Sequence, residues 1–148
     1  MNKLISIVLL SFIFLMGCSG TMPILGVNSG QLLPCPDKPN CVNSQATDEE
    51  HSIEPIDFTG NQQAAKDKLL QILNALETTN IIVTEENYIQ VEFTSKVFGF
   101  VDDVEFYFPS TKTEKIIINL RSASRLGHSD MGANRERIEQ IRNEFKVN

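Results

Sequence analysis

From Asn61 to about Thr78 the apolar positions Ala65, Leu69, Ile72, Leu73 and Leu76 recur at i, i+4, i+7, i+8 and i+11. That is one stripe of helical period, and Asn61 offers an N-cap oxygen in front of it. Four runs rich in β-branched and aromatic residues follow, "NIIVTE", "YIQVEFTS", "FGFVDDVEFYF" and "KIIINLRS". Short polar turns, Glu85 to Asn87 and Pro109 to Glu114, separate them. Connections this short favour an antiparallel meander. A second helix is expected from near Ala133 toward Val147, with Ile138, Ile141 and Phe145 facing a core. The pattern predicts a two-layer α+β domain: an antiparallel four-stranded meander flanked by an N-terminal and a C-terminal helix on one face. Residues 32–60 show no period, and "HSIEPI" reads as a short edge strand that Pro55 keeps out of the sheet interior.

Alternation assigns the faces of the strands. In the third run Phe98, Phe100, Val104, Phe106 and Phe108 share a side, and Asp102 shares it with them. Asp103 and Glu105 point the other way. In the fourth run Ile116, Ile118 and Leu120 form the apolar side, opposite Asn119, Arg121 and Arg125. Matching the apolar faces predicts Phe106 opposite Ile118 and Val104 opposite Leu120, hence Asp103 opposite Arg121 and Asp102 opposite Ser122. An inward Asp102 then needs a partner, because a buried lone carboxylate is costly.

The N-terminus adds a compartment. "MNKLISIVLLSFIFLMGC" carries Lys3, then an apolar run from Leu4 to Met16. That is the pattern of a secretory signal, too short to span a bilayer, which takes about 20 apolar residues. Leu15, Gly17 and Cys18 fit a bacterial lipobox, so residues 1–17 are expected to be a lipoprotein signal peptide. Cys18 would be the lipidated first residue of the mature chain, carrying palmitate-type acyl chains. An ordinary cleaved signal with a coincidental cysteine is the alternative. Ser19 in place of Asp resembles lipoproteins sorted to the outer membrane, which points to the periplasmic side of that membrane in a Gram-negative envelope. Residues 18–31 read as lipidated cysteine and tether, and residues 32–148 as a single domain. Of the 148 residues, 148 less 17 leaves 131, one domain's worth. The leader takes away one lysine and no acid, so the net charge moves from −6 to −7. Such a balance argues against nucleic acid and anionic lipid as partners.

Cys35 and Cys41, six apart in an exported chain, are expected to pair as a disulfide. A metal reading would need two more ligands. His51 offers one, but the spacing is a poor zinc signature, and it is not the C-x-x-C of a redox site. No metal or cofactor is expected.

The segment "RSASRLGHSDMGANRER" places four arginines in one stretch of an acidic chain. Arg135 and Arg137 fall in the first turns of the last helix, where the dipole disfavours cations, so something negative is expected beside them. Asp102, Asp103, Glu105 and Asp130 qualify, as does an external anion on the helix N-terminus. The candidate polar centre or anion site comprises Asp102, Asp103, Glu105, Arg121, Ser122, Ser124, Arg125, His128, Asp130, Asn134 and Arg135. A catalytic reading would pair His128 with one of the carboxylates and use Ser122, Ser124 or Ser129 as nucleophile. No G-x-S-x-G, H-E-x-x-H or Walker pattern accompanies it, and no catalytic residue is assigned.

Three blocks, "LPCPDKPNCVNSQ", "FGFVDDVEFYF" and "RSASRLGHSDMGANRERIE", resemble in order the signature motifs of the family catalogued as domain of unknown function 1499. The resemblance covers roughly Leu32 to the C-terminus. Asn43 stands where that pattern has Ser, and His128 where an aromatic is commoner, which weakens a catalytic role for His128. The resemblance implies a small secreted or membrane-attached domain and brings no activity with it. The expected role is a lipid-anchored cell-envelope binding or accessory module, with a small anionic ligand or an envelope protein as partner. The alternative is an envelope enzyme acting on a small anionic substrate.

Overall fold

The computed structural model describes residues 20–111, 113 and 115–147. The leader, Cys18 and Ser19 lie outside the described residues. In chain order the elements are β1 (Cys41–Asn43), β2 (Ile56–Thr59), α1 (Gln62–Ala75), β3 (Thr79–Thr84), β4 (Tyr88–Thr94), β5 (Val101–Tyr107), β6 (Lys115–Ser124) and α2 (Ala133–Val147). The class is α+β, with an antiparallel sheet of six strands rather than the four expected, ordered β1-β6-β5-β4-β3, and β2 paired to β6. The two additional strands come from the stretch without a period, where the edge strand expected at "HSIEPI" instead begins at its last residue, Ile56, and runs on to Thr59. Strand β6 is ten residues long, and its outer edge pairs with β2 over one half and β1 over the other. Pro55 stands immediately before β2, where its missing N–H costs no ladder bond.

Asn61 caps α1 by accepting from the Ala64 N–H at 2.8 Å. The stripe Ala65, Leu69, Ile72 and Leu73 is buried. It meets Ile138, Ile141 and Phe145 of α2, and Ile89, Val91, Val104, Phe106, Ile118 and Leu120 of the sheet, in one apolar cluster. Phe58 of β2 packs edge-on against Phe145, ring centroids 6.3 Å apart. Between β2 and α1, Gly60 has φ +142, and a Cβ there would lie 2.8 Å from the Phe58 ring. The turn therefore requires glycine.

The register of β5 on β6 differs from the expected one by two residues. Phe106 lies opposite Leu120, Val104 opposite Ser122, Glu105 opposite Arg121, Asp103 opposite Ala123 and Asp102 opposite Ser124. A two-residue slip leaves every side chain on its face, so the faces agree and the partners do not. Phe98 and Phe100 are not in the core. They belong to the β4–β5 turn and are 71% and 51% exposed.

The segment read as a tether makes contacts with the domain from its first described residue. Gly20 abuts Arg125 and Leu126, and the Gly26 N–H donates to Glu105 Oε1 at 3.0 Å. A Cβ on Gly30 would lie 4.0 Å from the Tyr107 hydroxyl, and Leu32 is buried. Residues 20–30 thus form a strap along β5, over the sheet face opposite the helices. Among the described residues no helix is long and apolar enough to cross a membrane.

Candidate functional site

The residues singled out from the sequence gather at two places, one on each face of the sheet. Alternation separates Asp102 from Asp103, and the sheet lies between them.

On the helix face, Asp102 is held by Arg137, whose Nη2 donates to Oδ2 at 2.5 Å. The guanidinium lies 4.7 Å from the centroid of the Phe93 ring, a favourable stack for a desolvated cation. Its other nitrogen donates to Ser122 Oγ and Asn134 Oδ1. Asn134 is fully buried. It donates through Nδ2 to Asn40 O, Ser124 Oγ and Asp130 Oδ2, and accepts from Ser122 Oγ. Asp130 accepts the Gly132 and Asn134 N–H groups at 3.0 and 2.8 Å, so it caps α2 and supplies the negative charge that the helix N-terminus wants. The connection turns through Met131 at φ +56 and Gly132 at φ +85.

On the strap face, Arg125 donates through Nε and Nη2 to Asp103 at 2.7 Å each, and through Nη2 also to Glu92. This fork-on-carboxylate geometry is the strongest form of the pair. Bonding to Asp103 pushes the arginine pKa up, with Glu92 adding to it and burial opposing. Beside it, Glu105 has no exposed surface. Tyr88 OH and the Gly26 N–H donate to Glu105 Oε1, and Arg121 Nη1 lies 3.4 Å from Oε2. Burial raises the Glu105 pKa, against the opposing pull of Tyr88, Arg121 and Gly26. The Tyr88 phenol is pushed up by burial and by the Glu105 charge. Among the described residues, two buried donors here, Gln90 Nε2 and Arg121 Nε, have no hydrogen-bond partner.

Arg135 joins neither group. It donates to the backbone carbonyls of Ser52 and Glu50, tying α2 to the loop ahead of β2. His128 is exposed in the turn after Gly127. Ser122, fully buried, has as bonding partners Asn134 and Arg137, neither of which is a base. Among the described residues, no hydrogen bond joins His128 to a carboxylate or to Ser122, Ser124 or Ser129. No three His, Cys, Asp or Glu side chains among the described residues converge to hold a metal ion.

Cys35 and Cys41 form a disulfide. The loop they close docks on the helix-face group through Asn40, whose carbonyl accepts from Ser124 N and Asn134 Nδ2, and whose amide donates to Gly127 O. A second pin is His51, which is buried. Its Nε2 faces Lys38 O at 3.0 Å and its Nδ1 faces Asp48 Oδ1 at 2.7 Å. Two acceptors on two ring nitrogens are both satisfied only by the imidazolium. Burial opposes that charge, but the Lys38 carbonyl and the Asp48 carboxylate outweigh it, and the His51 pKa is raised. Sequence reasoning considered His51 only as a metal ligand. Its signal was an Asp three residues ahead, which is weak. Also missed were Tyr88 and Glu92 as members of the polar groups, because each reaches its partner across strands; Arg137 was expected beside a carboxylate, and that carboxylate is Asp102.

The three motif blocks thus lie side by side, on β1, β6 and β5 and the start of α2. These features define a small disulfide-closed α+β domain whose sheet carries an arginine–carboxylate group on each face. Residues 31–145 match the family described as "Protein of unknown function (DUF1499)", and the chain belongs to that family. No curated protein matches the chain.

Proposed function

We propose that this chain is a lipid-anchored cell-envelope protein, attached through Cys18 and acting as a binding or accessory module, with the arginine–carboxylate groups holding its fold. Its place is the periplasmic side of the outer membrane where the cell is Gram-negative. The observation that carries this reading is that Arg121, Arg125, Arg135 and Arg137 all donate to acceptors of the protein itself. An anion trap would leave most of these guanidinium donors free for a ligand, whereas among the described residues the buried guanidinium nitrogen without a partner is Arg121 Nε. The leader supports the anchor: its apolar run is short and ends at Leu15-Met16-Gly17-Cys18.

A second reading, an envelope enzyme acting on a small anionic substrate, is favoured by Gln90 Nε2 and Arg121 Nε, which lie without partners on the face the strap covers. Gln90 also lines a cleft of about 390 Å³, together with Tyr88, Tyr107 and the strap residues Leu25, Gly26 and Val27.

A thermal-shift titration of the purified protein with phosphate, sulfate and small carboxylates separates the two. The first reading expects no stabilisation beyond that of chloride at equal ionic strength. A saturable rise in melting temperature that vanishes in Arg121→Gln would replace it with the second. Whatever the ligand result, Cys18→Ser is expected to release the protein from membranes on fractionation, and an unchanged membrane fraction would refute the anchor.

A further inference from the structure

The turn between β4 and β5 is apolar and exposed. Val97 is 82% exposed, Phe98 71% and Phe100 51%. Their backbone is nonetheless closed on itself. The Ser95 N–H donates to Phe100 O at 2.8 Å, the Phe100 N–H to Ser95 Oγ at 2.9 Å, and the Gly99 N–H to Ser95 O at 3.1 Å. Gly99 takes φ +66, so the chain reverses tightly and holds both rings outward, centroids 5.8 Å apart. A water-facing surface gains nothing from two phenylalanines and a valine presented on a closed turn. Exposed apolar groups clustered in this way mark a surface that something covers.

The neighbours of this tip say what covers it. The Arg125 N–H donates to Val101 O at 3.1 Å, which carries the ladder one rung past β6 and brings the half-exposed Leu126 to the same end of the sheet. Against Arg125 and Leu126 lies Gly20: a Cβ there would sit 3.0 Å from Arg125 Cβ and 3.2 Å from Leu126 Cγ. Only Ser19 separates Gly20 from Cys18. Two residues span at most about 7 Å, so acyl chains on Cys18 would enter the bilayer next to the aromatic tip. Charge agrees with this. In a chain of net charge −6, residues 95–101 and 121–129 contain no Asp or Glu, and the exposed Glu77, which meets the tip at Lys96, is paired there with the ammonium at 2.8 Å. No carboxylate in either stretch has to be pressed against the headgroups.

We propose that Val97, Phe98 and Phe100 form a wedge that inserts into the lipid surface beside the Cys18 anchor and sets the domain upright on the membrane. This rests on the lipid-anchor reading above. Anchoring through lipid alone leaves a domain free to pivot; a second apolar contact at the same end of the sheet fixes which face it shows to the periplasm. The acyl chains on Cys18 supply the attachment, and the tip would supply the orientation. The far end of the sheet, with the turn at residues 85–87 and the end of β5 at Tyr107, would then point away from the membrane.

The chain contains no tryptophan, so one introduced indole reports alone. Full-length acylated protein carrying Phe98→Trp, and a second variant carrying Glu86→Trp at the far end, would be placed in phosphatidylethanolamine–phosphatidylglycerol vesicles with or without bromine on the acyl chains. The mass of the Cys18 peptide reads the anchor separately. The wedge predicts that Phe98→Trp emits in the blue and is quenched by brominated chains, whereas Glu86→Trp emits in the red and is not quenched. Red, unquenched emission from Phe98→Trp in acylated, vesicle-bound protein overturns the wedge and leaves the anchor standing. Blue emission without quenching, as when a second copy or another protein covers the tip, also overturns it. A Cys18 peptide without acyl mass overturns the anchor, and the wedge with it.

Discussion

Asp102 and Asp103 are adjacent in the chain, yet they do different work. Asp102 balances Arg137 beneath α2, and Asp103 shares Arg125 with Glu92 under the strap. That the two point to opposite faces could be read from alternation alone. Which arginine each would find could not, because Arg137 arrives from a helix and Glu92 from the next strand. His51 shows the same limit, and it carries a pH dependence. Its pKa is raised in the folded state. The stability it contributes is therefore complete below its unfolded value of about 6.5, and is lost as pH rises through the higher folded value. Urea midpoints of wild type and His51→Gln should differ most at about pH 5.5–6 and converge in the alkaline range. A difference independent of pH would mean that the imidazolium is not what pins the Lys38 carbonyl.

Elements with a long period were legible and short ones were not. Helix α1 announced itself by a five-member stripe, and β4, β5 and β6 by their apolar alternation. Strands β1 and β2, three and four residues long, are too short to show a period; they exist because β6 is long enough to offer them an edge. The register of β5 on β6 was misjudged by two residues, the one slip that face-matching cannot detect. The start of α2 depends on Asp130, which accepts two N–H groups there. Asp130→Ala should cost about 1 kcal/mol, read as a shift in the denaturation midpoint. A change within experimental error would show that Asn134 and Gly132 hold the helix start without it. Gly60→Ala tests the β2–α1 turn in the same way. An L side chain at φ +142, 2.8 Å from Phe58, should destabilise by more than the about 1 kcal/mol that an unstrained glycine replacement changes.

Across the whole molecule, polar groups sit on both faces of one sheet, and the N-terminal strap seals the second face. Little of that was visible in the sequence. A Gly/Ser-rich stretch without a period reads as a linker, and the Gly26–Glu105 bond and the approach of Gly20 to Arg125 and Leu126 reveal that it packs. The arrangement explains how an acidic protein accommodates four arginines within 17 residues: their partners are carboxylates and carbonyls of the fold. The matched family supplies no activity, so the weight rests on whether those arginines belong to the structure or to a ligand. Melting Arg125→Ala beside wild type, with and without phosphate, tests this most directly. If the arginine holds the fold, the variant leaves Asp103 and Glu92 buried without a counter-charge, losing about 3–5 kcal/mol, and phosphate moves neither protein beyond its ionic-strength effect. A variant as stable as wild type or more so, which has lost a phosphate-dependent shift that wild type shows, would contradict the account.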